Sequence, residues 1–75
     1  MGKNVHVVYH TDGDVWQVKY ENEHEPVGMF DTKELAQENG REMAMQQKSE
    51  LIIHRKDGVI SEKHSYGNDP RGVRG

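Results

Sequence analysis

Two Asp-Gly dipeptides, Asp12-Gly13 and Asp57-Gly58, each lie between runs of β-branched and aromatic residues, and they constrain the fold more than any other feature. Such a dipeptide between apolar runs predicts a tight hairpin turn, because glycine takes positive φ without a steric cost. The flanking segments fit this expectation. Residues 4–10 (Asn-Val-His-Val-Val-Tyr-His) have strand composition. After the Thr11–Asp14 turn, Val15 to Tyr20 alternates, with Trp16, Val18 and Tyr20 on one face and Val15, Gln17 and Lys19 on the other. Leu51-Ile52-Ile53-His54 and residues 59–66 form the same pattern around the Arg55–Gly58 turn.

Between the hairpins, Glu21 to Gly28 is a polar, acidic connection containing Pro26, and Val27 to Phe30 can extend a short strand end. A helix then follows from about Thr32 to Gln47 or Lys48. Asp31 is the expected N-cap with Glu34 three residues on, and Phe30 and Leu35 occupy the positions of a hydrophobic staple. Ala36, Gly40, Met43, Ala44 and Gln47 form the buried stripe, with Leu35 at its edge. Glycine at position 40 costs roughly 1 kcal/mol relative to alanine in a helix interior, so its place in a small-residue stripe implies close seating on a sheet. The expected architecture is α+β: a ββαββ two-layer sandwich of antiparallel hairpins, with one helix on one sheet face. Residues 1–66 form the single domain, and residues 67–75, rich in Gly, Asn, Asp, Pro and Arg, form a flexible tail.

A chain of 75 residues buries only about 60% of the surface exposed by its unfolded form. It has no cysteine, so neither a disulfide nor a thiolate zinc site supplements the core, which fits a reducing compartment. Oligomerisation is the remaining route. No segment reads as a signal peptide, and none approaches the roughly 20 apolar residues of a membrane helix. A cytoplasmic protein without a membrane partner is expected.

The net charge of −3 is unevenly placed. Residues 1–50 carry five Lys/Arg against ten Asp/Glu, a balance of −5, whereas residues 51–75 carry five against three, a balance of +2. The acidic majority disfavours a whole-protein affinity for nucleic acid but leaves a local contact open through Arg55, Lys56, Lys63, Arg71 and Arg74.

At this point the residues resemble a family. His6-Val7-Val8, Trp16-Gln17-Val18-Lys19, Phe30-Asp31-Thr32-Lys33 leading into Ala36, Gly40-Arg41 and Ala44, and the run Ile52 to Ile60 are similar to the small bacterial proteins grouped as Domain of Unknown Function 2188. The resemblance covers roughly residues 5 to 66, and its last segment is the most specific. It implies a compact αβ domain of bacterial origin in which alanine usually stands at position 40. It brings no known activity.

Five histidines invite a metal reading. His6 and His10 share a strand face but sit about 13 Å apart along it. His54 and His64 lie on opposite arms of one hairpin, and no helix presents histidines four apart. No metal or other cofactor is expected. Ser49, Ser61, Ser65, Thr11 and Thr32 stand in no elbow-like or triad-like context, and neither Asp-Gly dipeptide precedes a helix as a phosphate loop would. No catalytic residue is assigned, and the chain reads as a non-enzyme. His54, beside the second turn, is expected to support that hairpin through a cross-strand contact or a hydrogen bond to the turn.

One sheet face stays without a helix. If Leu51, Ile53 and Val59 face the helix, Ile52 and Ile60 point away, joined by Val8. Val8, Ile52, His54 and Ile60 are therefore the expected interaction surface. The expected function is a protein-interaction module, homodimeric through this face or a strand edge. The alternative is nucleic-acid binding through the 55–64 hairpin and the basic tail.

Overall fold

A computed structural model describes residues 3–67. Six elements follow in order: β1 (Val5–His10), β2 (Val15–Tyr20), β3 (Gly28–Phe30), α1 (Lys33–Gln47), β4 (Glu50–His54) and β5 (Ile60–Ser65). The fold is α+β, one helix against a five-stranded mixed sheet of order β3-β2-β1-β4-β5.

Gly13 and Gly58 take the expected positive φ, +96° and +91°, in the turns that join β1 to β2 and β4 to β5. Both hairpins are antiparallel. The sheet adds two features to the expected pair of antiparallel hairpins. Residues 28–30 pair with β2 as a third strand, and the two hairpins meet through β1 and β4, which run parallel with Val5, His6 and Val7 opposite Leu51, Ile52 and Ile53. Joined in this way, the hairpins place their most apolar strands in the middle, where both edges are paired and the backbone is best protected from water.

The core is Val5, Val7, Trp16, Val18, Leu51 and Ile53 from the sheet with Ala36 and Ala44 from the helix. Tyr9, Tyr20, Phe30, Met43 and Tyr66 pack around it. The buried helix residues are Ala36, Gly40 and Ala44, four apart, and Met43 and Gln47 are half-buried. Their small size lets the helix backbone settle on β1 and β4. A Cβ atom added at Gly40 would lie 2.9 Å from Leu51 Cδ1 and 3.1 Å from Val7 Cγ2.

Three local expectations are corrected. The N-cap is Thr32, not Asp31: its backbone is extended (φ −128°, ψ 155°) and its hydroxyl accepts a hydrogen bond from the Leu35 N–H at 3.2 Å. This shift by one residue dissolves the expected staple, for Phe30 packs on the core whereas Leu35 is 50% exposed. Val59 does not cover the helix side either. It precedes β5 and is exposed, and α1 packs on β1 to β4 without reaching β5. The helix ends at Lys48, a non-glycine residue in the left-handed region (φ 53°) whose N–H caps the Ala44 and Met45 carbonyls.

Candidate functional site: the open sheet face

Strand registry decides what the helix-free face displays, because directly opposed residues share a face. His6 on β1 is opposed by Lys19 on β2 and Ile52 on β4, and Ile52 in turn by Lys63 on β5. Val8 is opposed by Gln17, and His54 by Ile60. Val8, Ile52, His54 and Ile60 thus share this face, as expected, but do not form a contiguous apolar patch. Ile52 is only 6% exposed, set between His6 and Lys63 on the adjacent strands, whereas Ile60 is 54% exposed at the sheet margin beyond His54.

The two histidines, 48 positions apart in sequence, meet where β1 lies against β4. His6 Nδ1 and His54 Nε2 are 2.9 Å apart, with the ring centroids 5.2 Å apart and the ring planes inclined by 27°. On its other side, His6 Nε2 lies 3.2 Å from Glu21 Oε1 at the end of β2. Asn4 Nδ2 donates to the same oxygen at 3.2 Å, and Asn4 Oδ1 accepts from the Glu50 N–H at 3.1 Å. These contacts hold the Glu21 carboxyl below the usual carboxylate range, the His6 bond first and the Asn4 bond second. His54 Nδ1 lies 3.3 Å from the Gly58 carbonyl, which realises the expected support of the turn. An open groove of about 610 Å³ runs beside the pair, lined by Val8, Lys19, Glu21 and Glu23 among others.

The sequence sets His6 only against His10, and no local signal pairs it with His54; only the β1–β4 pairing brings the two together. His54 and His64 do not share a face. His64 is opposed by Leu51, on the helix side, and bonds to Glu62 at 2.9 Å. Among the described residues, no group of three or more His, Cys, Asp or Glu side chains is gathered for a metal ion.

Family comparison places the chain without naming its chemistry. The profile of a bacterial family described as "Uncharacterized protein conserved in bacteria (DUF2188)" matches residues 5–66. The chain belongs to this family. The chain is also similar to the "Uncharacterized protein YdaT" of Bacillus subtilis (strain 168), 35% identical over 68 residues. That match covers 91% of this chain but 44% of the relative, so the chain spans less than half of the longer protein's length. No solved structure matches. The matched span of this DUF2188 chain begins at Val5, the first residue of β1, and ends at Tyr66, just past β5.

The basic residues of the second hairpin are engaged with neighbours. Arg55 pairs with Asp57 at 2.9 Å, Lys63 lies 3.8 Å from Glu50, and the Lys56 ammonium sits 4.9 Å from the centroid of the Tyr9 ring. Arg71 and Arg74, with all of the expected tail except Gly67, lie outside the described residues. No helix among the described residues is long and apolar enough to cross a membrane.

Proposed function

We propose that the chain is a small non-enzymatic interaction module of the cytoplasm, which forms a homodimer by pairing the outer edge of β5 with β5 of a second copy. The observation that carries this reading is the state of β5: all six of its residues are exposed, and it packs on β4 alone. Its inner edge is fixed by the bond from the Tyr66 N–H to the Ser49 carbonyl at 3.1 Å. Antiparallel alternation then turns the backbone groups of Lys63 and Ser65 away from β4. An edge strand with a free row of N–H and C=O groups is a template for another strand. Lysine on an edge normally guards against such pairing, but the Lys63 ammonium is drawn over the open face toward Glu50. Exposed Val59 and Ile60 at the start of β5 add apolar area to the same margin. The open face supports association less strongly, since Ile52 is already covered and polar groups separate Val8 from it. Phosphate binding by Arg55, Lys56 and Lys63 has weaker support, because each of these cations already has a partner.

The test is the mass in solution at micromolar concentration, with twice the 8.6 kDa of one chain expected. Lys63→Pro removes an N–H that β4 does not use, so it should yield a folded monomer. A monomeric wild-type chain would overturn the reading.

A further inference from the structure

We infer that His6 and His54 bind one proton between them, and that this proton ties the 55–58 turn to β1 and the end of β2. The inference follows from counting hydrogens along a chain of contacts whose two ends are both acceptors. At one end, Glu21 is a carboxylate and Gly58 supplies a carbonyl oxygen at the other. His6 Nε2 must therefore carry a hydrogen to donate to Glu21, and His54 Nδ1 must carry one to donate to Gly58. The middle contact, His6 Nδ1 to His54 Nε2 at 2.9 Å, needs one hydrogen and only one. Two neutral rings hold two hydrogens, one short of the three that these contacts use. With both rings neutral, two lone pairs would face each other, or one of the end bonds would be given up. With both rings cationic, two N–H groups would collide. The singly charged pair alone satisfies every contact.

The surroundings suit a single positive charge. Glu21, just after β2, is bonded to His6, and Glu23, paired with Lys3, lines the adjoining groove with Lys19 and His24. From β4 and β5, Glu50 and Lys63 approach as a mutual pair around Ile52. Glu21 is the carboxylate bonded to His6, and Lys63 also acts on it. Loss of the proton removes one of the three bonds, to Glu21, to Gly58 or between the rings, so the hydrogen-bonded chain from the 55–58 turn through β1 to Glu21 is complete only while the pair is singly charged. This device is independent of whether β5 pairs with a second copy.

The experiment is a pH titration of the ring nitrogens of the whole chain by NMR, in the wild type and in His6→Asn and His54→Asn. In the wild type, the rings should titrate as a pair in two steps separated by more than about one pH unit. The first step on acidification should move both rings and the Gly58 resonance together. Each single variant should show one step for the remaining ring, lying between the two. Should a variant fail to fold, the wild type still decides: between the two steps, its nitrogen shifts should report hydrogens on His6 Nε2 and His54 Nδ1. Independent titration of the two rings, or a midpoint for either ring that is unchanged when the other is removed, would overturn the inference.

Discussion

Replacing Gly40 by leucine probes how closely α1 is seated on the sheet. Leucine is the better helix former by nearly 1 kcal/mol, so propensity alone would make the variant more stable. Packing opposes this. The Cβ alone would meet Leu51 Cδ1 at 2.9 Å and Val7 Cγ2 at 3.1 Å, with Val5 Cγ1 at 3.6 Å. All three neighbours are among the most deeply buried side chains, so they have little room to retreat. Overpacking of this kind costs about 1–3 kcal/mol, and the further carbons of leucine put the variant at or beyond the upper end. A net loss of about 2–3 kcal/mol is expected. For a domain of this size, in which each kcal/mol moves Tm by about 4–8 °C, that is a fall of about 8–24 °C. Alanine adds only the Cβ, whose contacts with Leu51 at 2.9 Å and Val7 at 3.1 Å oppose a gain of about 1 kcal/mol in helix propensity, so its Tm should lie close to wild type. Thermal unfolding followed by circular dichroism measures all of these. Gln46→Leu, at an exposed helix position, serves as the control and should shift stability by less than about 0.5 kcal/mol. Combining Gly40→Leu with Leu51→Ala should recover about 0.5–3 kcal/mol relative to additivity. A Gly40→Leu chain that unfolds at the wild-type temperature would refute the close seating of the helix.

Three further outcomes follow from the same physics. Lys48→Gly should stabilise the domain by about 1 kcal/mol, seen as a higher Tm, because a side chain in the left-handed region at φ 53° is strained and glycine is not. Thr32→Ala should cost about 0.5–2 kcal/mol in denaturant unfolding through loss of the bond to the Leu35 N–H, and Asp31→Ala should cost clearly less. The carboxyl of Glu21 titrates below its ordinary value in the folded chain because of its bonds to His6 and Asn4. Its contribution is therefore present above the unfolded glutamate range, near pH 4.3, and is lost as pH falls through the lower folded value. Glu21→Gln should accordingly lose less stability than wild type on acidification from about pH 5.5 to pH 3.

Local chemistry sufficed for the elements. Alternation around Asp12-Gly13 and Asp57-Gly58 located both hairpins, because turn conformation and side-chain period are properties of short segments. The small residues at 36, 40 and 44 located the helix face that meets the sheet, because a period of 3.6 is written along the chain. The N-cap lies one residue past the position expected from sequence because Asp31 and Thr32 both carry a capping oxygen, and only the backbone conformation at Thr32 decides between them.

Long-range pairing decided the rest. Nothing in the local pattern of β1 or β4 states that they lie side by side and parallel, since that pairing joins segments separated by the whole helix. Yet this contact sets Ile52 between His6 and Lys63 and so covers a side chain that alternation alone would leave in the open. The same contact leaves β5 at the margin, beyond the reach of a single 15-residue helix. It also brings His6 within hydrogen-bonding distance of His54. Sequence alone determined which segments are strands and which is helix, because those preferences are settled within a few residues. Which side chains meet across the sheet was decided only in the tertiary structure, because strand neighbours are chosen by burial over the whole chain.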